Sequence, residues 1–200
     1  MSLPAPPARL PASPAEHRLG AGARLVRFYD PTRGPWNAQR TFGPLTDMRF
    51  DHHRPPLGSD AAHSVWYAST SLQGALSESF GRLGFIDRGA PRRVALVRVV
   101  SAVPLLDLVG VGPRSVGLTQ EIAATTDYAR CQAWARAFHA QYPALHGLRW
   151  RGRQAGSICV VLTDRADMSA LALVADHDLG DSAVWPRIAR AAQRCHLRII

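Results

Sequence analysis

Among the residues that could carry chemistry, Glu78 has the most informative setting. It follows an alternating apolar run at 65–68 and then three hydroxyl residues that can cap a helix by accepting its first free N–H groups. On that helix Glu78 shares its side with the small residues Gly74 and Ala75. Because these neighbours are small, a ligand bound at the carboxylate could approach the helix backbone closely. The alternative is a solvated glutamate paired with Arg82 at i+4, which contributes only about a few tenths of a kcal/mol.

The other candidates lie near a strand end and in one long loop. Arg27 comes near the end of the first predicted strand, where a side chain can reach over a sheet edge. Arg49 lies in the polar segment 32–60, and a loop of that length is usually functional or disordered. His52 and His53 are adjacent, so on a strand they would point opposite ways. We therefore expect no metal site there.

The charge of the chain suggests an anionic partner without naming it. The formal net charge is +9, and all 24 basic residues are arginine. Such a balance fits a nucleic acid, an anionic small molecule or an acidic protein. The arginines are scattered in ones and twos and form no dense basic helix, which argues against direct binding of nucleic acid.

Cysteine usage and hydropathy indicate a cytoplasmic protein. Cys131, Cys159 and Cys195 are far apart and form no CxxC pair, so neither a zinc cluster nor a disulfide framework is expected. The chain has no run of 18 apolar residues and no secretory h-region at its start, so we expect no membrane span and no signal peptide.

The pattern of elements predicts an α+β fold. We expect a disordered Pro/Ala-rich tail over residues 1–15 and a single domain over 16–200. The segment 110–117, GVGPRSVG, has the wrong spacing for a phosphate loop and is interpreted as a turn. Strands and helices mix without a regular βαβ period. Strands are predicted at 23–29, 65–68, 92–101, 104–109, 148–150, 157–162, 171–174 and 197–200, and helices after 71 and at 119–125, 127–141 and 185–195.

Several motifs, in this order, resemble those of the RES domain, a family named for its Arg, Glu and Ser. The first arginine lies in Leu25-Val26-Arg27-Phe28 and the second in Met48-Arg49-Phe50-Asp51. The central strand and helix carry Val65-Trp66-Tyr67-Ala68 and Ala75-Leu76-Ser77-Glu78. The resemblance covers roughly residues 23–165.

This resemblance implies a fold, an activity and a partner. RES proteins are similar in fold to ADP-ribosyltransferases, so it implies a split mixed sheet flanked by helices. Members are toxins of bacterial toxin–antitoxin pairs that act on NAD, either degrading it by phosphorolysis or hydrolysis or transferring ADP-ribose to a protein. The implied partner is an Xre-like helix-turn-helix antitoxin that inserts its C-terminal part into the active cleft. NAD is then the substrate, no metal is implied, and a homo-oligomer stays open.

The resemblance also implies roles for individual side chains. Glu78 would lie beside the ribose and stabilise the positive charge that develops as the nicotinamide–ribose bond breaks. Arg27, also expected to be catalytic, and Arg49 would hold the pyrophosphate. Tyr67 or Tyr29 would offer an aromatic face to nicotinamide or adenine.

The family serine is the point of departure. Where many members have Ser-Arg after the late strand, this chain has Gly152-Arg153, and where others have a serine near the start of the long helix it has Tyr128-Ala129. Ser157 is the nearest candidate, and Arg153 keeps the following position. The missing serine leaves open a non-catalytic RES relative that binds only a partner protein. The basic charge leaves open an alternative of another class, a nucleic-acid-binding module.

Overall fold

The structure is a computed structural model that describes residues 3–42, 48–54, 60–153 and 156–200. Its α-helices are α1 (Leu72–Phe80), α2 (Glu121–Ala124), α3 (Tyr128–Gln141) and α4 (Trp185–Arg194). Its strands are β1 (Glu16–Leu19), β2 (Arg24–Tyr29), β3 (Arg40–Phe42), β4 (Asp60–Ser69), β5 (Phe85–Ile86), β6 (Arg93–Val99), β7 (Val103–Leu108), β8 (Gly147–Arg151), β9 (Ile158–Thr163), β10 (Leu171–Asp178) and β11 (Arg198–Ile199). This mixture of helices and strands confirms the α+β class.

Most of the strands form one mixed sheet, in the order β1-β7-β8-β9-β4-β2-β6-β10, with β3 on β4. β7 and β8 run parallel, and the other neighbours in this sheet are antiparallel. β5 and β11 form a separate parallel pair. The sheet is therefore mixed, as the resemblance implied.

The strand pairing of the sheet is almost completely interrupted between β2 and β4. β2 pairs with β6 from Arg24 to Tyr29, and β4 pairs with β9 from Val65 to Ser69. Between β2 and β4 themselves the register holds one pair, Val26 with Ser69. Because the two strands are antiparallel, the residues after Val26 and those before Ser69 diverge and leave a gap in the sheet.

The stretch that carries Glu78 folds as its local pattern predicts. β4 is buried on both faces near its end, as expected for a central strand. Ser71 is the N-cap of α1, and its Oγ accepts a hydrogen bond from the N–H of Gly74 at 3.0 Å. A Cβ on Gly74 would lie 2.6 Å from the Cβ of Ser157. Only glycine therefore lets α1 approach Ser157, the residue before β9, this closely.

The long helix α3 supplies much of the core beneath one part of the sheet. Asp127 caps it by accepting from the N–H of Arg130 at 3.0 Å. Trp134 and Phe138 are buried, as the predicted apolar stripe requires. They share one hydrophobic cluster with Leu148 on β8 and with neighbouring residues of β7 and β9.

The N-terminal segment differs from the expected disordered tail. Leu3 and Leu10 are buried in the same cluster as Trp134. The indole N–H of Trp134 donates to the carbonyl of Pro4 at 2.8 Å, and the hydroxyl of Tyr142 donates to the carbonyl of Pro11 at 2.8 Å. Composition suggested disorder, but two leucines and accepting carbonyls cover the outer side of α3 and satisfy its buried donors.

The remaining expectations concern a turn, the thiols and the membrane. Residues Gly112–Val116 form a 3₁₀ helix inside the segment interpreted as a turn. Cys131 and Cys159 are buried and Cys195 is half-buried, all with free thiols. No helix in the described ranges is long and apolar enough to cross a bilayer.

Candidate active site

The gap between β2 and β4 opens into a cleft of about 690 Å³. Its walls come from β2, the segment after it, β4 and α1. A volume of this size lies within the usual range for small-molecule sites. Four of the residues singled out in the sequence line it: Arg27, Tyr29, Tyr67 and Glu78.

Glu78 lies on the face of α1 that borders the cleft. The residue as a whole is exposed, because part of its side chain lines the open cleft. Its carboxyl group, by contrast, is largely surrounded by protein atoms. This partial burial raises the pKa of Glu78, and the charge of Arg49, a hydrogen bond from Cys159 and the charge of Arg153 oppose the rise. The carboxylate thus feels the charge of two arginines, and no salt bridge joins it to another residue in the described part of the chain.

Steric contacts explain why Gly152 occupies the position at which many family members have serine. A Cβ on Gly152 would lie 3.0 Å from Oε1 of Glu78 and 3.0 Å from Sγ of Cys159. Burial and then the charge of Glu78 raise the pKa of Cys159 to about 12, so its thiol stays protonated and can donate. Gly152 therefore leaves room for the Glu78 carboxylate against the β8–β9 turn.

Arg27 brings a half-buried cation to the opposite wall. Its Nη2 donates to the carbonyl of Ala38 at 3.1 Å, and the guanidinium lies 5.2 Å from the ring centroid of Trp66. Its Nη1 is buried without a hydrogen-bond partner among the described residues. Burial lowers the pKa of Arg27 to about 10, so the side chain stays charged at neutral pH. A cation with unused donor capacity fits an anionic ligand.

The two tyrosines both lie along the cleft but have different freedom. The hydroxyl of Tyr67 donates to Asp51 at 3.1 Å and accepts from the N–H of Phe50 at 3.2 Å. The hydroxyl of Tyr29 donates to Asp176 at 2.7 Å, and Tyr29 is buried. Hydrogen bonds thus fix both rings at the wall of the cleft.

Three of the residues singled out do not reach the cleft surface. Arg49 is buried and donates from Nη1 to the carbonyl of Thr125 at 2.6 Å, with its guanidinium 4.8 Å from the ring centroid of Tyr128. It acts on the site through its charge. Ser157 exchanges a hydrogen bond with Ser71 at 2.7 Å, so it supports the cap of α1. Arg153 is exposed and also acts on Glu78 through its charge.

Four further arginines line the cleft: Arg33, Arg40, Arg82 and Arg92. Of these, Arg40 is fixed by Asp51, since its Nη2 lies 2.7 and 2.8 Å from the two carboxylate oxygens. With Arg27, the described residues that line the cleft include five arginines and two carboxylates, those of Asp30 and Glu78. The cleft therefore has a positive potential that favours an anion. In a chain with 24 arginines, no local pattern separates these from the others.

The fold and the site together define an α+β protein whose split sheet holds a basic cleft that the carboxylate of Glu78 lines. The model of the RES domain family matches residues 17–185, and the chain belongs to this family. The fold is similar to that of a chain in the crystal structure of the M. tuberculosis MbcT–MbcA toxin–antitoxin complex. The TM-score is 0.62 at 19% identity, covering 86% of this chain and 92% of that chain. No curated protein matches this chain in sequence.

Proposed function

We propose that this chain is the toxin of a toxin–antitoxin pair and that it breaks the nicotinamide–ribose bond of NAD. The observation that carries the proposal is the carboxylate of Glu78 at the split of the sheet, in a cleft where five of the described lining residues are arginines. Membership of the RES family supports the toxin role. The fold shared with a chain of a toxin–antitoxin complex supports it as well.

The chemistry needs a carboxylate beside the ribose. When the bond between C1′ and the nicotinamide nitrogen breaks, its electron pair leaves with nicotinamide and the ribose gains oxocarbenium character. An ionised Glu78 stabilises that charge electrostatically. An oxygen of water or of inorganic phosphate then bonds to C1′. When water is the nucleophile, it releases a proton to the solvent. The products are nicotinamide and either ADP-ribose or its phosphate ester.

The basic wall suits the rest of the dinucleotide. The pyrophosphate of NAD carries two negative charges, and guanidinium groups bind phosphate oxygens with charge-assisted hydrogen bonds. Arg27 and Arg40 lie on the cleft wall and are both fixed by protein contacts. The aromatic faces of Tyr67 and Tyr29 would contact nicotinamide or adenine.

The direct test is the fate of NAD incubated with the purified chain, with and without inorganic phosphate, followed by mass spectrometry. We expect free nicotinamide together with ADP-ribose or, when phosphate is required, its phosphate ester. Transfer of ADP-ribose to a protein is the competing activity of the same cleft, and labelled NAD with a cell extract would reveal it. If the chain neither consumes nor binds NAD, the proposed function is wrong.

Replacing Arg27 by Gln is expected to weaken NAD binding by about 10- to 100-fold, because a charged hydrogen bond to phosphate contributes about 1.5–3 kcal/mol. Titration calorimetry would measure the Kd of NAD, and of nicotinamide, which lacks the pyrophosphate and should be unaffected. Arg18→Gln, on the edge strand β1, is the control. An unchanged Kd in a folded Arg27→Gln protein would remove Arg27 from the pyrophosphate site.

The pH dependence of NAD cleavage should report Glu78. Burial raises its pKa above 4.5, and the reaction needs the ionised form. We therefore expect kcat/KM to fall as the pH is lowered through a midpoint above 4.5, with full activity at neutral pH. Circular dichroism at each pH would separate this loss from unfolding. Full activity down to pH 4.5 in a folded protein would contradict the role of Glu78.

The partner that fits this proposal is an antitoxin with a helix-turn-helix, acting in the cytoplasm, whose C-terminal part covers the cleft. Such an occupant would exclude NAD without changing the catalytic residues. The free thiols of the chain suit a reducing compartment. Inhibition of NAD cleavage by one equivalent of the co-purified partner would support this pairing.

A further inference from the structure

A second cluster of ionisable side chains lies outside the cleft. Nε2 of His52 is 2.8 Å and Nε2 of His139 is 3.3 Å from the same oxygen, Oδ1 of Asp164. The ligand atoms of the three residues all lie within 4.8 Å of one another. Two imidazoles thus converge on a single carboxylate oxygen.

Three separate parts of the chain build this cluster. His52 belongs to the segment 48–54, His139 lies near the end of α3, and Asp164 directly follows β9. The rings of His52 and His139 stack with centroids 4.1 Å apart, and the ring of Phe42 meets His52 edge-on at 5.1 Å. Tertiary packing therefore holds these side chains together.

Burial makes the cluster costly unless something satisfies it. The side chains of His52, His139 and Asp164 are 1%, 14% and 27% exposed. Nδ1 of His52 and Nε2 of His139 are buried without a hydrogen-bond partner among the described residues. Buried polar atoms are normally satisfied, so an orphaned nitrogen aimed at a shared carboxylate calls for a ligand. A bound cation would satisfy Nε2 of His139 and the carboxylate at once.

A third imidazole lies next to the three donors. His63 lies beside them, with its ring centroid 5.3 Å from that of His139. Its Nδ1 is 3.0 Å from Asp60, a carboxylate contact that in metal sites frees Nε2 for the ion.

We propose that His52, His139 and Asp164 bind a divalent transition-metal ion, with Zn²⁺ as the best match. Two imidazoles and a carboxylate form a donor set typical of zinc, whose fourth position is left to water or to His63. Ligands of tetrahedral zinc lie about 3.3 Å apart, because the bonds are about 2.0 Å long. The two nitrogens already lie 2.8 and 3.3 Å from the carboxylate oxygen, close to that spacing.

The ion would hold the segment that supports one wall of the cleft. His52 directly follows Asp51, which contacts Arg40 and Tyr67 at the cleft. Coordination would fasten this segment to α3 and to the end of β9. The site is independent of NAD chemistry, so metal binding can be tested whether or not the chain cleaves NAD.

The experiment is a titration of the tag-free full chain, stripped of metal by a chelator, with Co²⁺ followed by competition with Zn²⁺. We expect one equivalent of Co²⁺ to bind with the visible absorption of a tetrahedral ion and Zn²⁺ to displace it. Asp164→Asn and His139→Asn should each weaken the binding of Co²⁺. The loss should exceed the roughly 10- to 100-fold that is typical when a residue that only contacts a metal ligand is replaced. His177→Asn is the matched control, because His177 pairs with Asp181 at 2.9 Å without a third donor in the described part of the chain.

Two results would overturn the site. The first is a wild-type chain that binds neither Co²⁺ nor Zn²⁺ saturably, and this outcome decides the matter even if a variant fails to fold. The second is a folded Asp164→Asn protein that binds Zn²⁺ as tightly as the wild type. A rise in the unfolding temperature with Zn²⁺ in the wild type and in His177→Asn, but not in Asp164→Asn, would support it.

Discussion

Replacing Glu78 by Gln is expected to lower the rate of NAD cleavage by about 100- to 1,000-fold while leaving the affinity for NAD nearly unchanged. The amide keeps the size of the side chain but removes the negative charge that would stabilise the developing oxocarbenium. The interaction exists mainly in the transition state, so kcat should fall while KM changes little. Nicotinamide release, followed by mass spectrometry, would measure the rate.

The control for this substitution is Glu16→Gln, which makes the same chemical change on the exposed edge strand β1. It should leave the rate within about twofold, as expected for a surface substitution. A Glu78→Gln protein that consumes NAD as fast as the wild type would remove Glu78 from the mechanism. Equal losses in both variants would indicate a general effect on folding instead.

Replacing Asp51 by Asn is expected to reduce the free energy of unfolding by about 2–4 kcal/mol and to disturb the cleft. Asp51 is fully buried, and its carboxylate contacts Nη2 of Arg40, the hydroxyl of Tyr67 and the N–H of Met48. The amide removes the charge that Arg40 requires. The estimate stays below that for a fully buried pair because the Arg40 side chain is 30% exposed.

Urea unfolding would measure this loss, and the KM for NAD should rise because Arg40 and Tyr67 lose their common anchor. The matched control is Asp178→Asn. Asp178 also pairs with an arginine, Arg93, at 2.6 Å, but its side chain is 74% exposed. An exposed pair contributes at most about 1 kcal/mol. Equal losses of stability in the two variants would contradict the anchoring role of Asp51.

The split of the sheet explains why the site lies where it does. β2 pairs with β6 along its whole length and β4 pairs with β9 from Val65 to Ser69, so both strands are held firmly where they border the cleft, yet they pair with each other only at Val26 and Ser69. A cleft between two rigid strands keeps its side chains fixed before a ligand arrives. Such preorganisation is what electrostatic stabilisation of a transition state requires.

The sequence by itself determined the elements with a clear local period. The strand–cap–helix around Glu78 and the helix α3 appear where the patterns of period 2 and 3.6 place them. The order of the RES motifs identified the family, which the match over residues 17–185 confirms. These features could be predicted because each depends on neighbours close in the chain.

Only the tertiary structure decided which side chains meet. Arg49 was expected at the pyrophosphate, but its guanidinium is used by the carbonyl of Thr125, 76 residues away in the chain. Arg33 and Arg40 reach the cleft without any sequence signal. His52, His139 and Asp164 converge although the adjacency of His52 and His53 argued against a metal. Local periodicity fixes the face on which a residue lies, but the partner opposite that face depends on how distant elements pack.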